Sequence, residues 1–143
     1  MEDIYSMTSG DAVPLPVLPM ISSAAGPLYR QIVDGLQREI SKGRLAPGAP
    51  LPSFRKLAEQ LLVSVITVKR AYEELEQEGI IYRRQGLGTF VAENGNHRSR
   101  EAKIQRARTL VAQAVTEAAE AGLTLQEIQK LMQQELRQPV QKP

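Results

Sequence analysis

The apolar positions keep a helical period from residue 28 to residue 75, change to a strand-like run, and return to a helical period toward the C-terminus. Leu28, Ile32, Val33, Leu36 and Ile40 share one helical face, which predicts a helix that begins near Pro27 and stops at Gly43. Proline is pre-set for a first helical turn, and glycine accepts the left-handed conformation that ends a helix. Leu45 to Pro52 contains Pro47, Gly48, Pro50 and Pro52 and reads as a loop. Ser53 is placed to cap a short helix with Leu57, Ala58 and Leu61 facing inward, and that helix breaks near Leu62-Val63. Ser64 offers a second cap. Val68, Ala71, Tyr72 and Leu75 follow at i, i+3, i+4 and i+7 and define a third helix, which Gly79 ends.

Beyond Gly79, Ile80-Ile81-Tyr82-Arg83-Arg84 and Thr89-Phe90-Val91 are β-prone, and Gln85-Gly86-Leu87-Gly88 between them signals a turn, so the segment reads as a hairpin. From about Asn96 a long helix carries a stripe of mostly small apolar residues: Ile104, Ala107, Val111, Ala114, Val115 and Ala118. Gly122 can end it. Thr124 and Glu127 form a T-x-x-E capping box for a last helix with Leu125, Ile128, Leu131, Met132 and Leu136 on its apolar side. The expected organisation is a flexible tail over 1–25, a winged helix-turn-helix over 26–93, a two-helix segment over 96–137 and a frayed end over 138–143. Within the tail, Val13, Leu15, Val17 and Leu18 are apolar enough for a short extended piece to lie on the folded body. The expected fold class is mainly α with a small β-hairpin.

Composition removes several classes. The chain of 143 residues has no cysteine, so disulfide and thiol chemistry are excluded. It shows no apolar run of membrane-spanning length and no secretory signal pattern, which points to the cytoplasm and to no membrane partner. His97 is the single histidine, so no metal site is expected, and no nucleophile–base pair suggests an enzyme. Gly86-Leu87-Gly88 is not a nucleotide-binding loop, because the third glycine and the Gly-Lys-Ser/Thr of a P-loop are missing. No cofactor is expected. Net charge is only +2, but residues 27–91 hold ten Lys or Arg against seven Asp or Glu, four of them crowded into 73–78. That acidic run is expected as solvated surface, and the rest of the segment is basic.

Helix, short helix, tight turn, helix, hairpin is the order of a winged helix-turn-helix. A DNA major groove about 12 Å wide admits one α-helix, whose N-terminal residues reach base edges, while a hairpin beside it can reach phosphates or the minor groove. The residues also resemble a family. Leu51-Pro52-Ser53-Phe54-Arg55-Lys56-Leu57-Ala58, Val63-Ser64 with Thr67-Val68-Lys69-Arg70-Ala71-Tyr72, Glu74 to Ile81, and Arg84-Gln85-Gly86-Leu87-Gly88-Thr89-Phe90-Val91 are similar in order to the motifs of the GntR family of bacterial transcription regulators. The similarity covers about 27–91 without a gap. The short two-helix tail resembles the YtrA subfamily. This resemblance implies that Arg55, Ser64, Thr67 and Lys69 contact DNA and that Gly86 marks the wing tip.

The sequence departs from the family at Val65 and Ile66, where polar residues are usual. Either both are buried, or Ile66 is exposed and able to pack on thymine methyls. Arg70 is equally open to a DNA contact or a solvated role. Arg84 and Gln85 are expected at a phosphate or the minor groove, the alternative being a charged hairpin edge that resists aggregation. Phe54, also commonly polar, is expected against the loop or the C-terminal helices. Arg98, Arg100, Lys103, Arg106 and Arg108 make the start of the long helix basic, over phosphates or in solvent.

The two C-terminal helices cannot bury both faces alone. They are expected either to form a homodimer interface through Ile104, Ala107, Val111, Ala114, Val115, Ala118, Leu125, Ile128, Leu131 and Met132, or to fold back on the winged domain. The leading expectation is a homodimeric regulator that binds double-stranded DNA at a palindromic operator as a repressor. The alternative is a winged-helix protein-interaction module without DNA binding. A small-molecule effector could enter between the C-terminal helices, but no convergent polar cluster marks a pocket. An enzyme of the related branch that carries an aminotransferase-like domain would need a far longer chain.

Overall fold

The computed structural model describes Leu18 and residues 22–138. After a short 3-10 turn at Ser23–Ala25 come α1 (Leu28–Ser41), β1 (Pro50–Leu51), α2 (Phe54–Leu61), α3 (Val65–Gln77), β2 (Ile81–Arg84), β3 (Gly88–Val91), α4 (Gly95–Glu120) and α5 (Leu125–Arg137). Among the described residues this is a mainly helical chain with one small antiparallel sheet of strand order β1-β3-β2. Contacts divide it into two units, one up to Ala102 and one from Lys103 on.

In the first unit the apolar faces of the three N-terminal helices converge. Ile32, Val33, Leu36 and Ile40 of α1, Leu57 and Ala58 of α2, and Val68, Ala71, Tyr72 and Leu75 of α3 are all buried, with Leu51, Ile80, Ile81 and Val91 closing the core from the sheet side. Local capping sets the helix starts. Ser53 Oγ accepts the Lys56 N–H at 3.1 Å and Ser64 Oγ accepts the Thr67 N–H at 3.2 Å, each satisfying an orphan donor of a first turn. Gly79, at φ +74°, reverses the chain after α3 and delivers Ile80 into the core.

The loop expected over Leu45–Pro52 is not wholly irregular. Pro50 and Leu51 pair with Phe90 and Thr89 of β3, adding a third strand to the hairpin. Proline is tolerated there because Pro50 begins an edge strand, where its missing N–H leaves no central ladder bond unmade. Leu51 is thereby buried. The Tyr72 hydroxyl donates to the Pro52 carbonyl at 2.9 Å, which ties α3 to the chain entering α2. Burial pushes that phenol's pKa upward.

Two further pieces complete this unit. Of the segment 1–25, the described residues are Leu18 and 22–25; the apolar positions Val13, Leu15 and Val17 lie outside them. Ser22 is held at the start of α1, its N–H donating to Gln31 Oε1 at 3.1 Å while Gln31 Nε2 donates to the carbonyls of Ser22 at 2.7 Å and Gly26 at 3.0 Å. Leu18 packs on the core, and a Cβ at Gly35 would come within 3.0 Å of Leu18 Cδ2. At the other end, residues 95–102 of α4 are built into the same unit. Ser99 Oγ donates to the Gln37 carbonyl at 2.8 Å in the interior, and Ala102 packs on the core.

The second unit is the remainder of α4 with α5, joined through Gly122. Thr124 Oγ1 accepts the Glu127 N–H at 3.2 Å, and Glu127 Oε1 accepts the Thr124 N–H at 2.9 Å, the reciprocal capping box read from the sequence. Ile128 and Met132 are half-buried, whereas Leu125 and Leu136 are exposed.

Candidate nucleic-acid interface

The start of α3 is built so that its first turn faces outward. Ser64 has extended backbone, its Oγ holds the Thr67 N–H, and its hydroxyl lies 2.8 Å from Thr67 Oγ1. With Val68 and the next turn turned inward, Val65 and Ile66 point to solvent: Val65 is 44 % exposed and Ile66 78 %. Of the two readings of this apolar pair, burial is therefore excluded. Lys69 and Arg70 also lie on the outer face.

The turn into α3 carries an unusual backbone. Leu62, the residue after α2, sits in the left-handed region at φ 58° and ψ 44°, and it is 91 % exposed. A non-glycine residue with a branched side chain is disfavoured there. The conformation is what turns the chain sharply enough for Ser64 to cap α3.

Exposed basic groups accompany this helix end on α2, on α3 and in the hairpin. Arg55 in the first turn of α2 is exposed and makes no ion pair among the described residues; neither does Lys69. Lys56 is exposed beside Glu59 at 4.0 Å. In the hairpin, Arg84, Gln85 and Gly86 are exposed, and Gly86 at φ +78° makes the turn. The dipole of α3 adds positive potential at the Ser64 end.

The acids that offset these charges lie at the other end of α3, and two of them are not plain solvated surface. Glu74 pairs with Arg30 of α1, and Glu78 Oε2 accepts from Gln37 Nε2 at 3.2 Å. Both carboxylates are half-buried, drawn in by donors from α1 that are distant in sequence. Glu73 and Glu76 remain exposed as expected.

Three aromatic contacts were not legible from local pattern. Arg70 stacks its guanidinium 3.8 Å from the centre of the Tyr29 ring. Phe54 meets Tyr72 edge to face at 5.2 Å, and Arg83 lies 5.0 Å over the Phe54 ring. Through these contacts Phe54, expected against the loop or the C-terminal helices, joins α2, α3 and the hairpin. Its signal in the sequence was only an apolar residue at a first-turn position. In the hairpin Tyr82 stacks on Phe90 at 5.7 Å.

In the second unit Ile104, Val111 and Val115 are 44 %, 46 % and 40 % exposed. Ala107 and Ala114 are exposed as well, and Ala118 is half-buried; on α5 Leu131 is exposed beside the half-buried Ile128 and Met132. Among the described residues no cluster of three or more acidic or histidine side chains could hold a metal ion, and no helix is long and apolar enough to cross a membrane.

Known proteins match this arrangement. The sequence signature of the bacterial regulatory proteins of the gntR family matches residues 28–91, from the start of α1 to the end of β3. The chain is 36 % identical over 102 residues to the HTH-type transcriptional repressor YtrA of Bacillus subtilis (strain 168), covering 71 % of this chain and 78 % of that one. It is 47 % identical over 66 residues to the HTH-type transcriptional repressor NagR of the same organism, which covers 46 % of this chain but only 27 % of that one. A solved GntR family transcriptional regulator from Listeria monocytogenes superposes with a TM-score of 0.59 at 32 % identity, over 77 % of this chain and 96 % of that one. YtrA is matched beyond the winged domain and over most of its length, whereas NagR is matched over a span close to that of the winged domain alone. The chain therefore belongs to the GntR family, whose members regulate transcription and are not enzymes, and within it to the YtrA-like subfamily.

Proposed function

We propose that this regulator binds a palindromic operator as a homodimer and represses transcription, with α3 of each protomer in a major groove. The observation that carries the reading is the outward-facing first turn of α3, with Arg55 on α2 and Lys69 on α3 exposed and in no ion pair among the described residues. Ser64, Val65, Ile66 and Thr67 form the end presented to base edges. Arg55 and Lys69 supply phosphate or guanine contacts. Arg84, Gln85 and Gly86 of the wing approach a neighbouring phosphate or the minor groove. Arg70 starts from a stacked position on Tyr29, so its contribution to DNA is the smallest of the basic set.

Dimerisation is proposed through the second unit. The stripe of Ile104, Ala107, Val111, Ala114, Val115 and Ala118 on α4, with Leu125, Ile128, Leu131 and Met132 on α5, offers small apolar residues that permit close helix approach. Much of it is exposed in the single chain. A symmetric dimer matches the symmetry of a palindrome. The relatives named as repressors support the direction of regulation, and this work takes place in the cytoplasm, where the DNA is.

The test is a gel-shift titration of the protein against fragments of its own promoter region at two salt concentrations. Binding should fall as salt rises, and Arg55→Ala and Lys69→Ala should each weaken it on every fragment and lower the salt slope by about 1. Val111→Glu with Val115→Glu should convert a dimer to a monomer in sedimentation. Absence of binding to any genomic fragment would favour a protein-interaction module, for which the exposed Val65-Ile66 pair is the supporting feature.

A further inference from the structure

We infer that Ile66, supported by Val65, selects thymine at one position of each half-site by packing on its C5-methyl group. The inference rests on the DNA-binding reading and concerns which base is chosen. The first turn of α3 contains two hydroxyls, and both are engaged within it: Ser64 Oγ accepts the Thr67 N–H at 3.2 Å and lies 2.8 Å from Thr67 Oγ1. Beside this paired set of hydroxyls the turn presents hydrocarbon outward. Ile66 is 78 % exposed and Val65 44 % exposed, both outside the cluster that forms the core.

Exposed isoleucine has no use in water, and the partner that would cover it is constrained by its surroundings. Arg55, Lys56, Lys69 and Arg70 are all exposed on α2 and α3, and the wing adds Arg83 and Arg84. An apolar tip on a helix that shares its unit with these exposed cations complements a surface that is anionic at its edges and holds a methyl group between them. A major groove containing thymine has this character: phosphates line it, and the thymine methyl is its distinctive apolar feature. An arginine at the same position would reward the acceptors of guanine. Isoleucine can make no hydrogen bond and would leave those acceptors desolvated without a partner.

The probe is a pool of DNA duplexes with randomised centres, from which the full-length protein selects its tightest binders. Each thymine of a selected duplex is then replaced singly by deoxyuridine, which removes the methyl and keeps every hydrogen-bonding group. Affinities follow by fluorescence anisotropy. For the wild type, at least one substitution should weaken binding by about fourfold, the value of one buried methyl-sized group. For Ile66→Ala the same substitution should be neutral. Because Ile66 is so exposed, Ile66→Ala should keep the thermal unfolding curve of the parent, which serves as the folding control. If duplexes are enriched but deoxyuridine is tolerated everywhere, or harms Ile66→Ala as much as the wild type, the inference fails while DNA binding stands. If no duplex is enriched, the DNA-binding reading fails and takes this one with it.

Discussion

The guanidinium of Arg70 lies 3.8 Å from the centre of the Tyr29 ring, so one basic side chain of α3 is held by α1. Arg30, beside Tyr29, reaches back to Glu74 on the same face of contact. The two pairs cross-link α1 and α3 and set the angle at which α3 is presented. A positive charge of α3 is in this way committed to the fold before any DNA arrives.

Arg70→Ala is expected to lower the unfolding free energy by roughly 0.5–1 kcal/mol, the worth of an exposed to half-exposed cation–π contact. Tyr29→Leu should cost a similar amount while keeping apolar cover over the core. In urea unfolding the double variant should cost less than the sum of the two, and strict additivity would show that the ring and the guanidinium act independently.

Leu62 occupies a left-handed backbone position in the turn between α2 and α3, at φ 58°, with its side chain almost wholly in solvent. Little packing is lost on removing it, and glycine adopts this conformation without steric cost. Leu62→Gly is therefore expected to stabilise the chain by about 0.5–1 kcal/mol, after the larger unfolded-state entropy of glycine is counted. A higher midpoint in denaturant would bear this out; a lower one would mean that the leucine side chain makes contacts that matter.

Gly95 begins α4 in the interior. A Cβ there would lie 2.9 Å from the Ile80 carbonyl oxygen and 2.9 Å from Val91 Cγ1, one of them backbone that cannot swing away. Gly95→Ala should destabilise the first unit by about 1–3 kcal/mol through overpacking, although alanine is the better helix former. Thermal unfolding measures it, and an unchanged midpoint would contradict the close approach.

Glu127 is held below its ordinary pKa by the Thr124 backbone N–H first and the Thr124 hydroxyl second. A depressed carboxylate contributes stability that is present above its unfolded pKa of about 4.3 and disappears as pH falls through the lower folded value. The N-terminal turn of α5 should accordingly loosen on acidification. Carbon-13 titration of the carboxylates should find Glu127 with a midpoint below the ordinary glutamate value, and Thr124→Ala should recover only part of that depression, because the backbone N–H remains.

Much of the fold is legible because its signals are local. The caps at Ser53, Ser64 and Thr124 involve donors three residues away, and the buried faces of α1 and α3 follow from residues three and four apart. The hairpin follows from apolar runs on either side of glycines. The outward position of Ile66 is also a matter of helical phase, given that Val68, Ala71 and Tyr72 face in. Beyond these, the pairing of Pro50 with Phe90 joins residues far apart in sequence, and nothing near the prolines announces it. The same holds for Phe54 between Tyr72 and Arg83, and for Glu74 and Glu78 drawn to donors on α1.

Residue order alone was enough to determine where each helix begins and ends, which side of it is apolar, and which basic groups accompany the third helix, because hydrogen-bond capping and periodicity act over a single turn. Only the assembled tertiary structure decided that a third strand forms at Pro50, that Arg70 is occupied by Tyr29, that Gly95 must lack a side chain, and that Val65 stands in solvent beside Ile66. Those outcomes depend on which surfaces meet when three helices and a sheet share one small core. That is settled by packing between distant parts of the chain and leaves no mark on any one stretch of it.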